Sequence, residues 1–338
     1  MAAPSIKKEV YRIKPSHKQV GRLMLKAPLF VALIGALITM STGADTAGLD
    51  FRTLFSKLPP TSEIPSRDAF EARDETRLWY RHYPSESDTA LILVHGSGTD
   101  SQYLSFFAQT LAESGIATVY TPDMRGHGLS PVKRGDIDYI EQLEDDLADF
   151  ISHVRTVNDR LETVVVGGHS SGGGLAVRFA GGKHGDLASA YLLLAPYLGH
   201  DAPTVRENAG GWAAPNLSRI IPISMLNGLG ITLFNGVHVL QFDLPSDYRD
   251  GSETLSYSYR LMTGFGTSDF RTDLGAVEVP LLLVAGSEDE ALVASEFEGT
   301  VKPLVPHVLV ETVNGASHLG LVVDEEAIDI VRRWVRRL

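Results

Sequence analysis

A serine hydroxyl is a weak nucleophile at neutral pH, so covalent chemistry requires it to be lifted clear of the backbone and paired with a base. The run Val164-Val-Val-Gly-Gly168-His169-Ser170-Ser171-Gly172-Gly-Gly174 contains the one G-x-S-x-G of the chain. An apolar, β-branched stretch precedes it and the helical Leu175-Ala-Val-Arg-Phe179 follows. A strained strand-to-helix turn would expose Ser170, and glycines two residues before and two after would leave room for the tight backbone. Ser170 is therefore the candidate nucleophile. A phosphate-binding loop is not expected here, because no Gly-Lys-Ser/Thr follows.

The nucleophile needs a base, and the base needs an acid to orient it. On a strand-turn-helix topology these follow the serine at later strand ends, in the order acid, then histidine. Leu281-Leu-Leu-Val-Ala-Gly-Ser-Glu-Asp289 closes an apolar run with an acidic cluster, in which Asp289 is the candidate and Glu288 and Glu290 are neighbours able to substitute. Two histidines remain beyond it. His307 opens a strand, whereas His318 follows Val310-Glu-Thr-Val-Asn-Gly-Ala-Ser317, at the end where side chains reach a sheet's carboxyl edge. His318 is the better base. An oxyanion hole requires the N–H after the nucleophile and another from an earlier loop. Ser171 and, within His95-Gly96-Ser97-Gly98, Ser97 fill those places through their backbones.

Short apolar runs must carry these residues. Thr89–Val94 reads as a strand buried on both faces, and 117–120, 163–166, 190–194, 281–284 and 308–310 repeat the form. Between two of them Ile140, Leu143, Leu147, Phe150, Ile151 and Val154 recur at helical spacing, with Glu141, Glu144, Asp145 and Asp149 on the other face. Strands alternating with helices imply a mostly parallel sheet with ligands beyond its carboxyl ends. Residues 197–278 break the rhythm: the interval is far longer than a crossover needs and rich in apolar clusters. It is expected to fold as a cap over the carboxyl edge of the sheet. The basic, amphipathic end Ile330–Leu338 is expected to pack its apolar side on the sheet.

Charge and cysteine content remove whole classes of function. The 338 residues hold 30 Lys and Arg against 42 Asp and Glu, a net −12, and no cysteine. Disulfides, thiolate metal sites and thiol nucleophiles are excluded. Residues 1–44 carry seven of the basic residues and one acid, leaving 23 basic and 41 acidic residues in the remainder. An acidic body repels phosphate backbones, so nucleic acid is not an expected partner. Ala27–Ala44 is uncharged and its centre almost wholly apolar. As a helix it would span ~27 Å, close to a ~30 Å hydrocarbon core. With its basic flank it reads as a membrane anchor, or alternatively a cleaved signal, with the flank cytoplasmic and the body across the membrane. Residues 45–63 read as a linker, and 64–196 with 279–338 as the catalytic core.

Beyond the single motif, the body from about residue 64 resembles an α/β-hydrolase. It is similar to the serine-hydrolase group of monoacylglycerol lipases, lysophospholipases and related esterases. The matching residues are Val94-His95-Gly96, Asp123-Met-Arg125-Gly126-His127-Gly128-Leu-Ser130, the Gly168–Gly172 turn, Gly286-Ser-Glu-Asp289 and Gly315-Ala-Ser-His318. The resemblance implies a mostly parallel central sheet flanked by helices, with a lid inserted after the sixth strand. It also implies that Asp123, Arg125 and His127 shape a loop and take no catalytic part. The expected activity is cleavage of a lipid-like or other apolar ester by Ser170, His318 and Asp289, with no metal or other cofactor. The remaining histidines, including the His200-Asp201 pair, show no metal-ligand spacing. The same triad serves thioesterases, amidases and aminopeptidases, and a non-catalytic binding module could share the fold. A dehalogenase or epoxide hydrolase would need an acid where Ser170 stands.

Overall fold

A computed structural model describes residues 48–130, 133–206 and 211–338. The anchor or signal segment read at 1–44 lies outside them. Among the described residues no helix is long and apolar enough to cross a membrane.

Eight strands form the main sheet: β1 (Arg67–Glu71), β2 (Arg77–Tyr83), β3 (Thr89–Val94), β4 (Thr118–Asp123), β5 (Thr163–His169), β6 (Ala190–Leu194), β10 (Leu281–Gly286) and β11 (Leu309–Val313). Their spatial order is β1-β2-β4-β3-β5-β6-β10-β11. The pairs β1·β2 and β2·β4 are antiparallel, and every pair from β4 onward is parallel. The runs of β3, β6 and β10 are buried along their whole length, as continuous apolar strands covered on both faces must be. Each fully buried Leu, Ile or Val there stabilises the fold by roughly 1.5–3 kcal/mol relative to exposure. β11 differs from its reading as a buried strand. It is the outer edge of the sheet, and only Val313 of its five residues is buried.

Helices α2 (Ser105–Glu113), α3 (Gln142–Val157), α4 (Ser171–Gly181), α8 (Glu296–Val301) and α9 (Glu325–Val335) connect or close the strands. On α9, Ile328, Val331, Trp334 and Val335 turn inward, while Arg333, and Arg336 and Arg337 just beyond the helix, stay exposed. The acidic side of α3 is not a solvated face. Glu144 and Asp145 are buried beside Asp146, because neighbouring elements bring cations to them. Arg178 of α4 meets Glu144 at 2.5 Å and Arg125 meets Asp146 at 2.8 Å. Lys183, His184 and Arg73 surround Asp145 at 2.7–3.0 Å. Buried carboxylates are tolerated only with such partners.

Two further features bear on the site. Within the stretch read as a linker, Phe51–Lys57 forms helix α1, capped by Asp50, with Phe51 and Leu54 buried. The rings of Phe51 and Phe55 pack on Trp212 and Tyr248, with centroids 4.5–6.0 Å apart. Between β6 and β10 the chain builds a three-stranded antiparallel sheet of β7 (Ala213–Pro215), β8 (His238–Phe242) and β9 (Ser256–Ser258), with helices α5 (Leu217–Asn227), α6 (Tyr259–Gly264) and α7 (Phe270–Gly275). Ile223, Leu226, Val239 and Tyr259 form a small core of its own there. The segment 254–257 meets the loop after β3, where Thr254 N–H donates to the Gly98 carbonyl at 2.9 Å.

Candidate active site

Ser170 stands between β5 and α4 with φ 57° and ψ −121°. A non-glycine residue in that region is strained by about 1–3 kcal/mol and persists only where its surroundings over-determine it. Here they do: Ser170 N–H donates to the Leu194 carbonyl at 3.0 Å, and its carbonyl accepts from Gly174 and Tyr197. The flanking glycines are obligatory for space. A Cβ on Gly168 would lie 2.2 Å from the backbone of Gly172, and one on Gly172 would lie 2.4 Å from the carbonyls of Val94 and His95.

Asp289 and His318 form a buried pair, with His318 Nδ1 2.7 Å from Asp289 Oδ2. The other carboxylate oxygen, Oδ1, accepts from the N–H groups of Ala291 and Leu292 at 2.8 and 2.7 Å. Burial by itself would raise this carboxyl, but the imidazole charge and hydrogen bond of His318, with those two amides, hold it below its ordinary value. The acidic neighbours are placed elsewhere. Glu288 is exposed, and Glu290 accepts from His318 N–H at 2.9 Å and from Asp50 N–H at 3.1 Å. Glu290 therefore holds the backbone of the base and leaves the ring to Asp289. His307 sits ahead of edge strand β11, bonded to the Val279 carbonyl at 2.9 Å.

His169 links the base to the nucleophile. Its Nε2 lies 3.0 Å from the His318 carbonyl, its ring centroid lies 4.7 Å from that of His318, and Ser170 is the next residue. The Ser170 hydroxyl makes no hydrogen bond among the described residues, as is common before a substrate closes the site. The first loop lies against it, since a Cβ on Gly96 would stand 3.2 Å from Ser170 Cβ. In that loop Gly96 N–H donates to the Tyr103 hydroxyl at 2.7 Å and Gly98 N–H to the Tyr257 hydroxyl at 2.9 Å. Ser97 N–H between them, and Ser171 N–H at the start of α4, have no acceptor among the described residues. Their side chains meet, with Oγ atoms 2.6 Å apart.

The D-x-R-G-H-G-x-S segment supports this arrangement from behind. Asp123 accepts from Arg67 and from Ser101 N–H, and Arg125 pairs with Asp146 and Asp74. His127 meets Tyr257 at 2.5 Å. Asp201, half of the His200-Asp201 pair, is bound by Arg271 at 2.9 Å. Sequence reasoning missed Tyr103, His169 and Tyr257 as partners of the site, and it named Glu290 only as a substitute acid, not as the acceptor of the His318 amide. Of the three tyrosine and histidine residues only His169 carried a signal, being adjacent to Ser170.

A pattern common to α/β-hydrolases thus meets a matching sequence profile. The chain belongs to the serine aminopeptidase S33 family of α/β-hydrolases, whose family model matches residues 85–321. It is an enzyme of that class, similar to esterases and lipases. A monoacylglycerol lipase of Mycolicibacterium smegmatis is 24% identical over 247 residues, covering 68% of this chain and 81% of the lipase. A non-heme haloperoxidase of Rhodococcus erythropolis is 23% identical over 281 residues, covering 76% and 95%. Among solved structures, a soluble variant of the Saccharomyces cerevisiae monoglyceride lipase, in complex with a substrate analog, superposes with TM-score 0.60. It is 18% identical and covers 86% of this chain and 99% of its own.

Proposed function

We propose that the protein is a serine hydrolase that cleaves carboxylic esters of apolar acyl groups by two-step acyl transfer. His318 Nε2 takes the Ser170 proton as Oγ attacks the ester carbonyl. The N–H groups of Ser97 and Ser171 receive the developing oxyanion, and Asp289 steadies the imidazolium. The imidazolium then protonates the leaving alcohol, a water deprotonated by the same ring attacks the acyl carbon, and the C–Oγ bond breaks as the ring returns that proton to Ser170 Oγ, releasing the acid. The observation that carries this reading is the division of donors in the first loop. Both glycine amides are occupied and the serine amide between them has no acceptor among the described residues, beside a strained serine.

The reading places the enzyme at a membrane, held by residues 27–44 with its body extracytoplasmic. Supporting it, α5 and the turn after it leave Leu217, Ile221, Met225, Leu229 and Leu233 exposed, Leu233 at 80%. Three of these recur every fourth residue along one side of α5. Helix α1, which follows the apolar segment in the chain, packs on the same inserted region through Trp212 and Tyr248. An apolar face of this sort suits the headgroup–acyl boundary of a bilayer and a lipid-like ester drawn from it.

The test is hydrolysis of p-nitrophenyl esters from acetyl to palmitoyl by the full chain in detergent, with Ser170→Ala alongside and an aminoacyl p-nitroanilide for amide cleavage. Ester turnover that Ser170→Ala abolishes supports the reading. Turnover confined to the anilide overturns the ester assignment.

A further inference from the structure

Two tyrosine hydroxyls hold the glycines on either side of Ser97, and they belong to different parts of the molecule. Tyr103, in the turn 101–104 beneath the first loop, accepts Gly96 N–H at 2.7 Å and donates to His169 Nδ1 at 2.8 Å. Tyr257, on β9 of the inserted sheet, accepts Gly98 N–H at 2.9 Å and donates to His127 Nε2 at 2.5 Å. The partners fix both tautomers. His169 Nε2 gives its proton to the His318 carbonyl at 3.0 Å, and His127 Nδ1 gives its proton to the Arg125 carbonyl at 3.2 Å. A carbonyl only accepts, so the nitrogen facing each tyrosine is bare and takes the hydroxyl proton. Both rings are buried, which favours their neutral forms.

We propose that Tyr257 is a positioning residue for the oxyanion hole, through which the seating of the inserted sheet on the core sets the Ser97 amide. The proposal rests on the reading of Ser97 as an oxyanion donor. The Ser97 N–H lies in the peptide plane shared with Gly96, and its aim depends on the backbone being held on both sides of Ser97; on the far side stands Gly98, whose φ of +77° is one that glycine adopts without strain. Both of its backbone groups are tied to one short segment, the N–H to Tyr257 and the carbonyl to Thr254 N–H at 2.9 Å. Trp212, also from the inserted region, covers it so closely that a Cβ would stand 3.0 Å from the indole. Gly96 has its tie within the core. The hole is therefore half fixed and half portable: when β9 sits in place the Ser97 N–H is aimed, and when β9 shifts Gly98 turns with it.

The experiment compares Tyr257→Phe with wild type and with Tyr191→Phe, using the full chain and a soluble short-chain ester. Tyr191 loses a comparable buried hydroxyl, bonded to the Gly185 carbonyl at 2.9 Å, that serves no residue of the site. Tyr257→Phe should lower kcat about tenfold to a hundredfold, short of the ~10²–10³ that a whole oxyanion donor supplies, with KM nearly unchanged. Affinity for a trifluoromethyl ketone, whose hemiketal oxygen would occupy the hole, should weaken by the same factor. His127→Leu should act like Tyr257→Phe, and His127→Gln, which keeps an acceptor for the hydroxyl, should recover most of the loss. A kcat for Tyr257→Phe within about twofold of wild type overturns the proposal, as does an equal loss in Tyr191→Phe or no recovery in His127→Gln; the twofold margin is well below the effect of a lost donor. Wild-type turnover that survives Ser170→Ala overturns the acyl-transfer reading itself, a failure visible before any tyrosine variant is measured.

Discussion

His169 Nε2 donates to the main-chain carbonyl of His318 across 3.0 Å, so the residue before the candidate nucleophile Ser170 grips the candidate base. The other ring nitrogen, Nδ1, accepts the Tyr103 hydroxyl, and that acceptor role requires the neutral ring. Burial, helped by the nearby His318, lowers the His169 pKa to about 3. In the unfolded chain the same ring titrates near ~6.5. Between those values the unfolded state binds a proton that the folded state refuses, so stability is complete above the unfolded pKa and falls as pH drops toward the folded one. His95 and His127 are lowered by burial as well and act in the same direction. Thermal melts followed by circular dichroism should show Tm declining from about pH 6.5 downward, above the range where carboxylates titrate. His169→Gln should make that slope shallower. A Tm that holds constant down to pH 4.5 would contradict the neutral network.

Neighbouring carboxylates should have separable effects. Asp289→Asn leaves the shape but removes the charge that orients His318, and kcat on a short ester should fall on the order of 10³–10⁴. Glu290→Gln loses only a charged acceptor for the His318 and Asp50 amides, so kcat should stay within about tenfold while Tm falls, in keeping with ~1–3 kcal/mol for a weakened buried hydrogen bond. Reversal of that ranking would reassign the acid of the triad.

The glycines around Ser170 should tolerate no methyl group. Gly168→Ala and Gly172→Ala drive a Cβ into backbone atoms at 2.2 and 2.4 Å. Backbone cannot move aside as a side chain can, so each should cost upwards of ~3 kcal/mol or leave the chain insoluble. Gly275→Ala, at the end of α7, meets nothing within 4 Å. It should be neutral or stabilising by up to ~1 kcal/mol. Soluble yield and Tm across the three variants check this.

Charge placed on the exposed side of α5 should separate membrane binding from chemistry. Ile221→Glu with Met225→Glu puts two carboxylates where exposed apolar side chains now stand. Co-sedimentation with phosphatidylcholine vesicles of a chain beginning at residue 45 should weaken, and turnover of a soluble short ester should not change. Unaltered sedimentation would remove α5 from the bilayer contact.

How much of this was legible in the sequence follows from where the determinants lie. The parallel core was readable because strands covered on both faces must be apolar throughout, as Leu91–Val94 are. β11 escaped that rule, since an edge strand keeps few buried positions and Leu309-Val310 looks the same on paper wherever it lies. Ser170, Asp289 and His318 could be nominated because each follows a strand at a turn with its own local signature. The two tyrosines could not: Tyr257 is 159 residues from the Gly98 amide that it serves. A lone tyrosine in a strand reads as packing. The burial of the acids of α3 was not legible for a related reason, because periodicity marks a polar side but does not reveal the Arg178 and Lys183 that meet it from elsewhere in the chain.

Helix α1 gives the amino-terminal end a mechanical connection to catalysis. Asp50 N–H is bonded to one oxygen of Glu290, and the other oxygen holds the backbone of His318. Tension applied to the chain ahead of Gly48 would reach the candidate base through the Glu290 carboxylate, with the packed Phe51 and Phe55 rings as a brake in between. Trimming the protein back to the first strand would remove that linkage and leave the Glu290 oxygen and the Trp212 and Tyr248 rings facing water.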